Sequence, residues 1–579
     1  MNKLIGTLLL LGCVVVGMKV HAFAPSGTLP VMTITTENGR EITDKESYIA
    51  ASFSIDPMGH ADIEALRGTL LIKGRGNYTW ENFDKKPYRI KLDEKAKLLG
   101  FKKNKHFVLL AHADDNLGFM RDPVGFKMSE LAGMAWTPRQ KPIELILNGD
   151  YRGLYFLVEN IRIDKDRVDI FNQEDELPST DVSGGWLCEI DNYVEPASEQ
   201  ITITEGNGKP IKITHHNPEE ISLEQEAFLR DQMEAIDRAF YIPDPTSKEY
   251  EKLVDLKSLV SFYVIQEVLD NIESFWGSCY IHRQRGENEK WVWGPVWDFG
   301  DVYSRREGRF FYESPNWGIH WIDQIVKFDS FQEAVKARFA TFVQNELQPL
   351  KNYILQYSTI LETAVVADAL RWPEYGNADI RARVDDFMGF LNRRVIFLGQ
   401  KWGVSTGLPS GMFVRGDFNA WDACSEYEFD IPFNGIYSVG CTDFTGRFKI
   451  TDHAWHAHDW GTACPGQEIP LDTPVELING SESNEMISPG GFQTVIFRIL
   501  EPGDRATVEL STKASVSEIS HNSHGVVSVQ GRRVTINKGV ADIYDVFGRL
   551  LASKVEWYDV SPGIYIVSTA DCVYKVAVR

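Results

Sequence analysis

Apolar and polar positions follow two different periods along this chain, and the change of period divides it. In "IELILNGDYRGLYFLVENI" (143–161) two apolar runs flank Asn148-Gly149, a dipeptide suited to a type I′ turn, which predicts a β-hairpin. Farther on, apolar residues recur at helical spacing in "LEQEAFLRDQMEAIDRAFY" (223–241) and "DLKSLVSFYVIQEVLDNI" (255–272). "FQEAVKARFATFVQNEL" (331–347) and "RARVDDFMGFLNRRVIFLGQKW" (381–402) repeat that spacing. Residues 23 to about 405 therefore read as an α+β unit, helix-rich in its second half. "STGLPSG" (405–411) has the composition of a linker. Short strands with turn residues between them follow, and no strong helix, predicting a small all-β sandwich over 406–503 and a second β domain over 504–579.

The first residues break this pattern. "MNKLIGTLLLLGCVVVGMKVHAFAPSG" has Lys3, an apolar run and then Val20-His21-Ala22, the layout of a secretory signal peptide cleaved after Ala22, so 1–22 is set apart. A rival reading makes Cys13 a lipidated residue, but the apolar run continues past it and favours plain cleavage. No later stretch is long and apolar enough to span a membrane. The mature chain is expected outside the cytoplasm, at the cell surface or beyond, after periplasmic transit. Its net charge of -22 excludes general nucleic-acid binding, which needs a basic footprint. Cys188, Cys279, Cys424, Cys441, Cys464 and Cys572 remain after cleavage; they show no paired CxxC spacing, which argues against zinc and leaves disulfide connectivity open.

The chemistry concentrates around "KWVWGPVWDFGDVYSRR" (290–306). A predicted helix ends at Asp270-Asn271, "SCYIHR" and "WVWGPVW" read as a hairpin, and Asp298-Phe299-Gly300 follows. Protein kinases use this order, a catalytic acid after a helix and then a hairpin leading to a metal-binding Asp. Two separated carboxylates suit phosphoryl transfer, one orienting the attacking hydroxyl and one holding magnesium against phosphates. Asp270 fits the first role, Asp298 the second, and Glu273 is a substitute for either. The purely structural alternative makes Asp270 a turn cap and Asp298 a strand end.

Upstream, Arg75 lies between two glycines in "IKGRGNYTW" (72–80), with Asn77 beyond it; glycines let backbone amides approach a phosphate and Arg75 would clamp it. A surface turn explains the same residues. In "KKPYRIKL" (85–92), Lys86, Arg89 and Lys91 offer a cation on a strand, the alternative being an amphipathic edge strand. Arg121, at the entry of a predicted helix, and Glu159 are candidates for an ion pair lining a cleft.

Seven blocks together, "GRGNYTW", "KKPYRIKL", "DDNLGFMRD", "LNGDYRGLYFLVENI", "GGWLCEIDNY", "LDNIESFWGSCYIHR" and "KWVWGPVWDFG", resemble the CotH kinase-like family in content and order over about residues 65 to 400. The resemblance implies an atypical protein-kinase-like fold and transfer of phosphate from ATP, with Mg²⁺ or Mn²⁺, to a protein hydroxyl. It places Asp270 at the catalytic acidic position and Asp298 at the metal-binding one, with Arg75, Asn77, Lys86, Lys91 and Arg121 in the blocks expected near nucleotide. Two departures stand out. The family's Trp-Asp-x-Asp is here Trp297-Asp298-Phe299-Gly300, so Asp301 would have to supply the second acid, and Ser278 stands where an Asn is often expected. A degenerate, non-catalytic member serving as a surface scaffold is the alternative.

The middle region is similar to starch- and glycogen-binding sandwich modules through "GDFNAWDA", "GRFKITD" and "AWHAHDWG". Trp421, Lys449, Trp455 and Trp460 become glycan-binding candidates, against the alternative that the tryptophans are core. The last region, with "ADIYDVFGRLL", "SPGIYIV" and "YKVAVR", resembles the sorting domain of the type IX secretion system of Bacteroidetes, implying the secretion machinery as a partner.

Overall fold

The computed structural model describes residues 23–579 apart from 116, 177–180, 192, 194–198, 304–307, 314–318, 376–378, 407–410, 430–435, 453–457, 501–504, 513–526, 531–532, 537–540, 546–549, 560–562, 570–572 and 579. The leader, Trp455 and Cys572 thus lie outside the described residues.

Seven strands open the chain: β1 (Val31–Thr36), β2 (Ile49–Asp56), β3 (Leu66–Gly74), β4 (Tyr88–Ala96), β5 (Asn104–Leu110), β6 (Gln140–Leu147) and β7 (Asp150–Glu159). They close into a barrel in the order β1-β2-β3-β4-β5-β7-β6, sealed by parallel pairing of β1 with β6. Alternation sends Ile34, Phe53, Ile72, Ile90, Phe107 and Leu145 to the barrel interior. The predicted hairpin is β6–β7, with Asn148 at φ 51 and Gly149 at φ 80, the left-handed pair of a type I′ turn. The Asn148 amide oxygen also accepts the Thr36 N–H at 2.9 Å, which ties the turn to the end of β1. The edge-strand expectation for 85–92 is corrected: β4 pairs with β3 on one side and β5 on the other. Two helices interrupt the barrel, α1 (Tyr78–Asn82) and α2 (Arg121–Leu131).

A five-stranded sheet follows, built from β8 (Trp186–Asp191), β9 (Gln200–Thr204), β10 (Pro210–Asn217), β11 (Cys279–Arg283) and β12 (Val292–Trp293) in the order β12-β11-β8-β10-β9. The return strand expected across 291–297 shrinks to β12, because Pro295 has no N–H to give a ladder. Around this sheet stand α3 (Leu223–Phe240), α4 (Leu256–Leu269), α5 (Ile322–Ile325), α6 (Asp329–Thr341), α7 (Leu347–Arg371) and α8 (Ile380–Trp402). Ser222 and Gln225 form a capping box that starts α3. Sheet and helices share one apolar core that includes Trp186, Ile190, Ile281, Trp293 and Phe387.

Helix α7 fastens this unit to the barrel. The Asp368 carboxylate accepts the Leu154 N–H at 2.8 Å and pairs with Lys85 Nζ at 2.8 Å, both side chains nearly without exposure. Trp372 Nε1 donates to the Arg152 carbonyl at 2.8 Å one turn later. Nine strands between Met412 and Ser511 then form one sheet over Val414, Phe448, Ile450, Trp460 and Phe497. A three-stranded and a four-stranded sheet occupy 527–578. The architecture is a mixed α/β multidomain one with several separate sheets. Cys188, Cys279, Cys424, Cys441 and Cys464 are free thiols. Among the described residues no helix is long and apolar enough to cross a membrane.

Candidate functional site

Asp298 sits in the segment leaving β12, held in the left-handed region at φ 56. This conformation is uncommon outside glycine and needs surrounding contacts to persist. Those contacts come from two places, the loop after α4 and the start of α2. The Asn271 side-chain amide donates to the Asp298 carbonyl at 3.1 Å and to Gln266 Oε1 at 2.9 Å, so the loop after α4 grips the backbone. Phe299 N–H donates to Asp122 Oδ1 at 3.1 Å, and the Arg121 guanidinium donates to the Gly300 carbonyl. Phe299 is 0% exposed and rests on Gly125 of α2. The residues of the Asp-Phe-Gly tripeptide are therefore pinned by the first turns of α2 and by Asn271.

The Asp298 carboxylate meets solvent, yet protein surrounds the cleft that holds it. Burial raises its pKa, opposed by the Gly300 N–H and by the charge of Arg75. Ser278 Oγ lies 3.4 Å from Asp298 Oδ2, so the residue that replaces the expected Asn still offers a polar hydrogen to this acid. Arg75 comes from the opposite, barrel side, its guanidinium 5.7 Å from the centre of the Trp297 ring. A Cβ on Gly74 would fall 2.5 Å from Trp80, so that glycine lets the chain fold closely over Trp80 and carry Arg75 into the cleft.

Carboxylates crowd around Asp298. Burial, then the charge of Asp298 and a hydrogen bond with Asp301, push Glu273 up to about 9. Burial and the Asp298 charge push Asp122 up to about 8, and burial pushes Asp114 up to about 6. His112, 3.6 Å from Asp122, is driven down to about 3 by burial and by the charges of Lys85, Arg121 and Arg75. A site where several acids resist ionising together has an excess of negative field, which a divalent cation would relieve. Among the described residues no group of three or more His, Cys, Asp or Glu is arranged to hold a metal by itself. Magnesium does not need one: it is usually bound through one or two carboxylates together with substrate phosphates.

The other candidates fall in different places. Asp270 caps α4 at φ 51 and is 0% exposed, its carboxylate 3.9 Å from the buried Arg394, which also binds Glu267. It lies behind the loop that grips Asp298, away from solvent. Arg121 is occupied by Gly300 and lies 4.0 Å from Asp115, which makes it a strut for the tripeptide. Asn77 accepts from Lys45 at 2.8 Å, and Lys86 donates to the Trp80 carbonyl at 2.5 Å. Lys91 points outward from β4, exposed. Glu159 binds Arg139 through both oxygens, at 2.6 and 2.8 Å.

The neighbour of Lys86 carries no local signal of its role. Lys85, not Lys86, is the buried cation, and its partner Asp368 lies 283 positions away, beyond any local pattern. Arg89 belongs beside Arg75 at this site. Arg89 lies close enough to depress the pKa of Arg75, and its Nε is buried without a hydrogen-bond partner among the described residues. The outward parity of β4 was the available signal for it.

In the nine-stranded sheet two glycan candidates are corrected. Trp460 is 0% exposed and packs edge-on to Phe497, so it offers no face to a sugar. Lys449 is 7% exposed, with its ammonium on Asp459 at 2.5 Å and Ser483 at 2.8 Å. Trp421 is only partly covered; its indole N–H donates to Asp417 at 3.1 Å and Arg447 lies over its ring.

The β-barrel and the helical unit meet across a cleft with Asp298 on one side and Arg75 on the other, within a mixed α/β architecture. Residues 72–398, more than half of the chain, match the family described as CotH kinase protein, and the chain belongs to that family. A comparison with curated proteins gave no match.

Proposed function

We propose that this chain is an exported atypical protein kinase that transfers phosphate from ATP to a Ser, Thr or Tyr hydroxyl of a protein. The observation that carries the reading is Asp298: a solvent-facing carboxylate held in a left-handed conformation, with Arg75 opposite it and Glu273, Asp301, Asp122 and Asp114 around it. Family membership supports nucleotide and metal use at this position.

Asp298, with Asp301 or Glu273 beside it, would hold Mg²⁺ or Mn²⁺. The bound ion supplies charge neutralisation for the nucleotide phosphates. Arg75 and Arg89 would bind phosphate oxygens, for which guanidinium forks are suited. Asp270 acts through position: sealed on Arg394, it fixes the turn from which Asn271 reaches Asp298. The N-terminal leader and the C-terminal region support export and surface display from sequence. The partly covered Trp421 supports glycan contact by the middle domain.

The second reading is a non-catalytic, kinase-like surface scaffold or glycan-binding protein. What favours it is the burial of Asp270, the residue at the catalytic acidic position, against Arg394. One experiment separates the two. Mature chain starting at Phe23 is incubated with labelled ATP and Mg²⁺ or Mn²⁺ beside its Asp298→Asn variant. Label transferred by the wild type and lost in the variant supports the kinase. Absence of both transfer and nucleotide binding in the wild type supports the scaffold.

A further inference from the structure

Phosphoryl transfer to a hydroxyl needs a group to take the proton, and the buried Asp270 does not meet the cleft. Another group does. His216 lies at the end of β10, where the pairing with β8 shifts register between His215 and Asn217, so that His216 is the extra residue of a β-bulge. Bulges of this kind re-aim one side chain and are frequent beside active sites. Here the side chain joins Glu189 of β8 and Tyr280 of β11, residues that pair directly across the two strands. His216 Nε2 lies 2.6 Å from Glu189 Oε2, and its ring stacks on Tyr280 with centroids 5.5 Å apart. Glu189 is 7% exposed, while the His216 side chain is 38% exposed.

The chemistry follows from the partner. A carboxylate only accepts hydrogen bonds, so Nε2 carries the proton and Nδ1 keeps its lone pair. Nδ1 has no partner among the described residues. This is an imidazole oriented by a buried acid with its basic nitrogen free, the arrangement by which a histidine becomes a general base. The dyad belongs to the same cleft. Tyr280 lies two residues along the chain from Ser278, whose Oγ is 3.4 Å from Asp298 Oδ2, and the Glu189 charge adds to the rise of the Asp298 pKa.

We propose that His216, positioned by Glu189, is the proton acceptor for the incoming protein hydroxyl. The inference rests on the phosphotransfer reading above and assigns the step that Asp270 leaves unfilled. As the hydroxyl oxygen bonds to the γ-phosphorus, the bond to the bridging oxygen breaks and its electron pair leaves on ADP. The hydroxyl proton moves to His216 Nδ1, and the imidazolium so formed is stabilised by the Glu189 carboxylate.

The test uses the mature chain, labelled ATP with Mn²⁺ or Mg²⁺, and casein or the chain itself as acceptor, with nucleotide binding measured separately. His216→Ala is expected to bind nucleotide like the wild type while transfer falls by about 100-fold or more, the scale of general-base catalysis. Added imidazole should restore part of that rate, which a structural role would not allow. Glu189→Gln should give a smaller loss at unchanged nucleotide affinity. Transfer near the wild-type rate in His216→Ala overturns the assignment, as does a loss of nucleotide binding together with transfer, or a loss that imidazole leaves untouched. If the wild type neither binds nucleotide nor transfers label, the phosphotransfer reading falls and the assignment falls with it; an active wild type with an equally active His216→Ala removes only the assignment.

Discussion

Phe299 lies flat against Gly125, so closely that a Cβ at position 125 would stand 2.2 Å from its ring. The aromatic residue that follows Asp298 is thereby seated on the one residue of α2 that has no side chain. Gly125→Ala should push Phe299 out of this seat and disturb Asp298 with it. Overpacking of a filled core costs about 1–3 kcal/mol. Denaturant unfolding should show that loss, and nucleotide titration should show weakened binding. Gly308→Ala, where an added Cβ meets nothing within 4 Å, is the control and should change neither.

The Lys85–Asp368 pair fastens α7 to the barrel at 2.8 Å with 0% and 4% side-chain exposure. Removing one partner leaves the other charged group without its counter-ion in a dry site, which costs about 3–5 kcal/mol. Lys85→Met is expected to lose that much in urea unfolding at an unchanged m-value. Lys85→Met combined with Asp368→Leu should lose less, because no charge is then left unpaired.

The carboxylates around Asp298 predict a stability that depends on pH in an unusual direction. Glu273 titrates near 4.5 in an ordinary setting and near 9 in the folded chain, and Asp122 moves from 3.8 to about 8. Between those limits the folded chain holds more protons than the unfolded one. Stability at these groups is therefore fully present below the lower values and falls as pH rises toward the upper ones. Thermal unfolding from about pH 5 to about pH 9 should show a falling Tm, flattened in Glu273→Gln. Added Mg²⁺ should raise Tm most at the alkaline end, where the acids are free to ionise.

In the nine-stranded sheet two tryptophans should behave oppositely. Trp460→Ala empties a fully buried site and should cost about 3–5 kcal/mol in unfolding of that domain. Trp421→Ala should leave unfolding nearly unchanged and abolish retention on immobilised starch or glycogen. Retention unaffected by Trp421→Ala would remove this residue from any sugar site.

Much of the fold was legible because its signals are local. Asn148-Gly149 demands a left-handed turn whatever surrounds it, and the hairpin formed there. The apolar spacing over 223–241, 255–272 and 381–402 marks buried helix faces, and α3, α4 and α8 occupy those stretches. Parity also marked Arg89 as outward on β4. Two local readings failed for a reason outside the local pattern: β4 looks like an edge strand until the barrel closes around it, and Trp460 looks like a sugar platform until the core around Phe497 covers it.

The sequence by itself determined which residues are chemically able: the acids at 270, 273, 298 and 301 and the arginines at 75 and 89. Tertiary structure decided which of them face the same space. Asp270 follows a helix and Asp298 follows a hairpin, as the sequence pattern reads, yet one turns toward Arg394 and the other toward solvent. Lys85 and Lys86 are adjacent and chemically identical, and only Lys85 meets Asp368. A strand or helix pattern fixes the side of an element on which a residue lies over a few neighbours. Which partner stands on that side depends on packing between segments far apart in the chain, and no local period encodes that.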